Sequence, residues 1–298
     1  MEGCFECPIM CGAERERGER GVCGVADRSF VVRAARHYYE EPPISGTRGS
    51  GAIFFAGCNM RCAFCQNFDI SRGGGEDIAG AVPVGEYEFA GIMLRLEELG
   101  SHNINLVTPT PHIKLIERAV PLARAKGLTI PIVYNTNGYE RAETLRRLEG
   151  LIEVYLPDLK YRRSRLAESF SERADYFDFA SDAILEMHRQ VGMLETDESG
   201  IAKRGLIIRH LVLPCAVDET RQVLDFIAEN LPKETFISLM SQYTPIAGMK
   251  KPLDRRLTRA EYKRAVEHAV SLGFENVFIQ KLSSASSDFT PDFNGYFE

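Results

Sequence analysis

The chain has 298 residues, enough to bury a large core in one α/β domain or in two smaller ones. Of these, 44% are hydrophobic and 26% charged, and the formal charge of −6 argues against nucleic acid or an anionic membrane as a general partner. No apolar run reaches the length of a membrane span, and Met1-Glu2-Gly3-Cys4 lacks the basic and apolar regions of a signal peptide, so the expectation is a cytoplasmic protein with no membrane partner.

Eight cysteines without a secretion signal point to metal, cluster or redox chemistry in a reducing compartment rather than to disulfides. Cys4, Cys7, Cys11 and Cys23 come first, spaced C-x2-C-x3-C-x11-C. That spacing suits a zinc ion or a second iron–sulfur cluster, both tetrathiolate sites. The charged run from Glu14 to Glu19 alternates in sign and reads as a solvated loop. Residues 1–50 are expected to form a cysteine-rich extension ahead of a main domain over 51–298.

Residues 52–56 read as a buried strand. Just beyond it lie Cys58, Cys62 and Cys65, spaced C-x3-C-x2-C. Three thiolates can hold three irons of a four-iron, four-sulfur cube, and no fourth cysteine lies in the loop, so one iron is left open. Structural zinc wants four closed ligands, which disfavours zinc here. Gly73-Gly74-Gly75 lacks phosphate-loop spacing and reads as a loop.

Phe89, Ile92, Met93, Leu96 and Leu99 repeat at helical spacing. Residues 103–107 are strand-like. Ile116, Ala119, Val120 and Ala123 make the next helical face, which Gly127 is placed to end. Residues 130–134 are strand-like and run into Asn135-Thr136-Asn137-Gly138, a turn signal. A helix over 140–148 leads to a strand over 152–156, with Pro157-Asp158-Leu159-Lys160 at its end. Then come a helix over 174–191, a strand over 205–213, a helical face of Val223, Ile227 and Leu231, and a strand over 236–240 ending in Ser241-Gln242-Tyr243. Thr258 and Glu261 fit a capping box. Residues 276–280 form a last strand, and the C-terminal tail reads as irregular.

Apolar, non-alternating strands separated by helices favour a parallel sheet covered on both faces. Six or seven such strands after Gly51 suit an α/β fold of the incomplete (β/α)6 TIM-like barrel type. Active sites of such barrels gather at the C-terminal strand ends, where Cys58, Thr108, Asn135, Asp158 and Gln242 fall. Gln242 and Tyr243, at a strand end, read as ligand or substrate contacts. His210 reads equally as a hydrogen-bonded core residue or a ligand contact. His112 lies by the pocket or opens a helix, and Cys215 reads as a small core residue.

The C-x3-C-x2-C loop, with Phe64 before the third cysteine, resembles the signature of the radical S-adenosylmethionine (SAM) superfamily. Asn135-Thr136-Asn137-Gly138 and Asp158-Leu159-Lys160 resemble strand ends of glycyl-radical-enzyme activases such as the pyruvate formate-lyase activating enzyme. Near end-to-end similarity to a branch related to that enzyme rests on Cys4-x2-Cys7-Pro8, Glu40-Glu41-Pro42-Pro43-Ile44-Ser45-Gly46, Gly57-Cys58-Asn59, Cys65-Gln66-Asn67, the stretch from Asn103 to Pro109, Tyr155-Leu156-Pro157-Asp158 and Arg209-His210-Leu211.

The resemblance implies that Cys58, Cys62 and Cys65 ligate a [4Fe-4S] cluster whose open iron chelates SAM. It implies reductive cleavage to a 5′-deoxyadenosyl radical, which abstracts hydrogen from a glycine of a partner glycyl-radical enzyme or from another peptide or small molecule. A flavodoxin- or ferredoxin-type reductant would supply the electron. Asp158 and Lys160 would position the charged part of SAM, with Thr108, Asn135, Asn137 and Gln242 as further cofactor contacts. No side chain is assigned a catalytic acid–base or nucleophilic role. The rival reading is a non-catalytic iron–sulfur electron-transfer or scaffold protein.

Three departures from the activases are visible. Val107-Thr108-Pro109-Thr110-Pro111 stands where they carry Gly-Gly-Glu, and Asn135 stands where they carry an aspartate that, with the residue matching Asp158, holds a monovalent cation. The eight-cysteine insertion that many of them have after the cluster loop is missing.

Overall fold

The computed structural model describes residues 3–246, 248–285, 291–293, 295 and 297–298. Strands along the chain are β1 (Ser29–His37), β2 (Ser50–Phe55), β3 (Val82–Val84), β4 (Ile104–Val107), β5 (Ile132–Thr136), β6 (Val154–Pro157), β7 (Glu195–Thr196), β8 (Ala202–Leu211), β9 (Phe236–Met240) and β10 (Val277–Ile279). Helices are α1 (Pro42–Ser45), α2 (Phe68–Ser71), α3 (Glu86–Glu98), α4 (Ile113–Ala125), α5 (Ala142–Arg146), α6 (Ser164–Ser171), α7 (Tyr176–Val191), α8 (Val217–Asn230) and α9 (Arg259–Ser271).

The sheet runs β10-β9-β8-β6-β5-β4-β2-β1-β3. From β2 to β10 every neighbouring pair is parallel, while β1 is antiparallel to both β2 and β3. Every residue of β2, β4, β5 and β6 is buried, the pattern of strands covered on both faces. The covering helices fit the periodicity of their sequences. Phe89, Ala90, Met93 and Leu96 of α3 are buried, as are Ile113, Ile116, Ala119, Val120 and Ala123 of α4. The capping box at α9 forms: Glu261 N–H donates to the Thr258 hydroxyl at 3.2 Å and Thr258 N–H to the Glu261 carboxylate at 2.9 Å.

Six strands at a spacing of about 4.8 Å would spread their ends over roughly 24 Å in a flat sheet. The ends of β2, β4, β5, β6, β8 and β9 instead line one cavity, so the sheet is curled. Its outermost strands, β10 and β3, are not paired with each other among the described residues, and the result is an incomplete β/α barrel.

Three strands escape the sequence reading, the two-residue β7 and two that flank the barrel. β1 lies inside the cysteine-rich extension, where arginines interrupt its apolar residues. β3 is a three-residue edge strand, too short for a period. The helix expected over 140–148 shortens to Ala142–Arg146, because Tyr139 and Glu140 turn inward instead. The expected irregular tail lies partly outside the described residues. Among those described, no helix is long and apolar enough to cross a membrane.

Candidate functional site

The cavity at the strand ends has a volume of about 240 Å³. Cys58, Cys62, Cys65, Thr108, Asn135, Asn137, Asp158, Lys160 and Gln242 all line it, whereas Cys4, Cys7, Cys11 and Cys23 border a separate small cavity. A larger cleft, about 650 Å³, lies on the outside between the extension and α3–α4. Its lining mixes exposed charges of both signs and meets none of the β4–β9 strand ends, so the smaller cavity is the better candidate.

The cysteine loop leaves β2 through Gly57, whose φ of +83° suits glycine. A Cβ there would lie 2.6 Å from Val25 and 2.7 Å from the Cys23 carbonyl. Buried Asn59 pins the loop: its amide donates to the Tyr139 carbonyl at 2.7 Å, and its side-chain oxygen accepts from Asn137 at 2.8 Å. Arg173 holds the Asn59 carbonyl from outside.

Each sulfur meets a polar partner. Cys58 receives Met60 N–H and the Asn137 amide, both at 3.4 Å; Cys62 receives the Ser171 hydroxyl at 3.2 Å; Cys65 lies 3.6 Å from the Ser71 hydroxyl. Burial pushes the Cys58 thiol up to about 12 and raises Cys62 as well, so these groups are neutral thiols until a cation draws off their protons. Among the described residues no three Cys, His, Asp or Glu side chains already stand closed around a metal. The donor set nonetheless fits a cluster with one open iron: three thiols on one loop, a donor beside each, and no fourth cysteine on the cavity wall.

Opposite the loop, a charge network joins the ends of β5, β6 and β8. Arg209 donates to Asp158 at 3.0 Å, to Asn135 at 2.6 Å and to Glu40 at 3.2 Å. Lys160 pairs with the other Asp158 oxygen, and the Asn135 amide donates to Glu40 at 3.1 Å. Burial alone would raise the Asp158 carboxyl, but Arg209 and Lys160 outweigh it and hold it below the usual carboxylate range. Burial raises the neighbouring Glu41 carboxyl.

Sequence reasoning named Asn135, Asp158 and Lys160 as contacts but used Arg209 and Glu40 only as marks of resemblance. An arginine inside an apolar strand and a glutamate beside Pro42 carry no periodic signal that they meet in space. With a guanidinium against both Asn135 and Asp158, the charge a monovalent cation would bring is already supplied by the protein.

Thr108 sits at φ +60°, strained for a β-branched residue, and its N–H donates to the Asn135 carbonyl at 3.0 Å. The Gln242 side-chain oxygen accepts from Gln280 at 3.0 Å. Tyr243 is buried, donates its hydroxyl to the Leu253 carbonyl at 2.6 Å and packs edge-on to Phe64, so its ring walls the cavity while its hydroxyl serves structure. His210 is a core residue bonded to the Leu159 carbonyl and Thr220. His112 is buried against Ser29 and the Ala56 carbonyl. Cys215 is exposed, off the cavity wall, with Arg255 on its sulfur.

Glu140 was not anticipated at all. It is fully buried beneath the turn after β5, and one oxygen accepts from Thr110, Thr136 and Tyr134 while the other has no partner. Burial pushes its carboxyl up to about 7, against three hydroxyl donors that lower it. A carboxyl raised in the folded state stabilises fully below its unfolded value of 4.5 and loses that contribution as pH climbs through about 7. Between pH 4.5 and 8 the wild type should therefore lose about 3 kcal/mol more stability than Glu140→Gln. Urea unfolding at both pH values measures the difference; parallel curves would refute it.

No protein-family model matches the chain. It is 32% identical over 285 residues to the uncharacterized protein MJ0674 of Methanocaldococcus jannaschii, covering 93% of this chain and 77% of that one. Among solved structures it is similar to a radical SAM methyltransferase from Sphaerobacter thermophilus, with a TM-score of 0.53, 15% identity, and coverage of 77% of this chain and 65% of that one. It is also similar to native anSMEcpe with bound AdoMet and Kp18Cys peptide, with a TM-score of 0.50, 14% identity, and coverage of 74% and 60%. The chain thus spans less than two thirds of either solved protein.

Proposed function

We propose that this chain, which belongs to one family with MJ0674 and has the fold of radical SAM enzymes, is itself a radical SAM enzyme. The observation that carries the reading is three unpaired thiols on one loop at the barrel mouth, with no fourth cysteine on the cavity wall. A [4Fe-4S] cluster held there would, given one electron from an external reductant, supply reductive cleavage of the SAM sulfonium to methionine and a 5′-deoxyadenosyl radical.

Cys58, Cys62 and Cys65 would hold the cluster. Met60 N–H, the Asn137 amide and the Ser171 hydroxyl would stabilise negative charge on the sulfurs, which favours the reduced state. The methionyl end of SAM is a zwitterion. Lys160 and Arg209 offer cationic donors and Asp158 and Glu40 offer carboxylates within one network, so both of its charges can be met without importing net charge. Thr108 and Gln242 would contact the remainder, and the Phe64–Tyr243 wall would exclude water from one side. The substrate class is a peptide, with hydrogen taken from a glycine as the specific reading. Its support is the sequence resemblance at the strand ends and a structural neighbour solved with AdoMet and a peptide.

The test is anaerobic. Reconstituted protein with SAM and a strong reductant should release 5′-deoxyadenosine and methionine, and Cys62→Ala should lower the yield at least ~100-fold, about 2.7 kcal/mol in barrier terms. An intact cluster that releases no 5′-deoxyadenosine would overturn the assignment. A deuterated glycine in a candidate partner peptide should pass label to the nucleoside.

A further inference from the structure

We propose that Cys4, Cys7, Cys11 and Cys23 bind one zinc ion, which fixes the N-terminal segment against the cysteine loop of the barrel. All four thiols border the same small cavity. Its volume is about 20 Å³. That is room for a single ion or one water, and too little for the eight core atoms of an iron–sulfur cube. The thiols are not in disulfides, and among the described residues they do not already stand gathered around an ion, so binding would have to draw their sulfurs inward. Cys11 and Cys23 already converge: a Cβ on Gly21 would lie 3.3 Å and 3.4 Å from their sulfurs.

The backbone is shaped as metal-thiolate turns are. Met10 N–H closes a turn on the Cys7 carbonyl at 3.0 Å, and Gly24 N–H closes another on the Gly21 carbonyl at 2.8 Å. Met10, Gly12 and Gly24 take the positive φ values these turns need, +45°, +68° and +86°. Zinc with four thiolates carries a net charge of −2. Arg15 stands 4.0 Å from the Cys4 sulfur, anchored on the Ala26 and Pro111 carbonyls, as its counter-charge.

The segment needs such a staple. Before β1 its only described regular element is a three-residue 3-10 turn, and Pro8, Ala13, Gly21, Cys23 and Val25 are its only described buried residues. The gain is passed on to the barrel mouth. The Cys23 carbonyl accepts Cys58 N–H at 3.2 Å, and Gly57 packs on Val25. An ion held by Cys23 would therefore fix a backbone partner of the first cysteine in the barrel loop. The inference does not depend on the enzymatic reading.

The experiment is metal analysis with X-ray absorption on wild type and on a Cys58→Ala/Cys62→Ala/Cys65→Ala variant. Both should hold about one zinc, in a shell of four sulfurs at about 2.3 Å. Cys7→Ala/Cys11→Ala should lose that zinc. Zinc-free wild type after incubation with zinc, zinc retained in Cys7→Ala/Cys11→Ala, or iron–sulfur absorption in the triple variant would each overturn the proposal. The wild-type measurement decides even if a variant fails to fold.

Discussion

Arg209→Met should cost about 3–5 kcal/mol of folding stability. Arg209, Asp158 and Glu40 are all largely buried, with side chains 14%, 15% and 12% exposed. The guanidinium touches the ends of β5 and β6 and the segment before α1 at once. Removing it leaves two carboxylates with Lys160 as their one direct ion-pair partner among the described residues, and desolvated anions are expensive to leave unpaired. Glu40→Gln in the same chain should recover a measurable part of the loss, because one uncompensated charge is then gone. Urea midpoints of the single and double variants read both effects. An unchanged midpoint for Arg209→Met, or no recovery in the double variant, would show that the network is not stabilised by its cation. SAM affinity should fall with Arg209→Met beyond what Glu40→Gln alone causes.

The parallel strands were legible because each is a short apolar run bounded by turn residues, and the strand-end residues followed once a barrel was inferred. The cavity therefore gathers Asn135, Asn137, Asp158 and Lys160 much as the chain order implies. The side chains that steer these residues were not legible. Arg209 follows the apolar run Leu206-Ile207-Ile208 and precedes His210, so no alternation marks the face it points to. Ser71 and Ser171 lie in short helices with ordinary sequences, yet each meets a cysteine sulfur. Glu140 follows a turn signal and opens the helix expected over 140–148, whereas hydroxyls on three separate positions draw it inside. The Arg209, Ser171 and Thr110 contacts join residues far apart in the chain, and the shorter-range ones to Ser71, Thr136 and Tyr134 depend on how turns fold back, neither of which a local period encodes.

Gly138→Ala should destabilise the protein by about 3 kcal/mol or more, and it should do so at the site itself. Gly138 has φ +82°, and a Cβ there would lie 2.2 Å from the Asp158 carbonyl oxygen and 3.0 Å from the Tyr176 hydroxyl. That oxygen is fixed backbone, so relief requires the β5 turn and the β6 end to part. The Tyr176 hydroxyl lies 2.8 Å from both the Asn137 and Asp158 carbonyls and would lose that bridge. Asn137 carries the amide that reaches the Cys58 sulfur and Asn59, so iron retained after reconstitution should fall along with stability. Gly150 supplies the control. Its φ is +81°, and a Cβ there meets nothing within 4 Å. Gly150→Ala should cost only the backbone term, about 1 kcal/mol, and leave iron binding intact. Equal losses in the two variants would mean that backbone conformation alone, and not the close approach of two strand ends, explains the glycine in this turn.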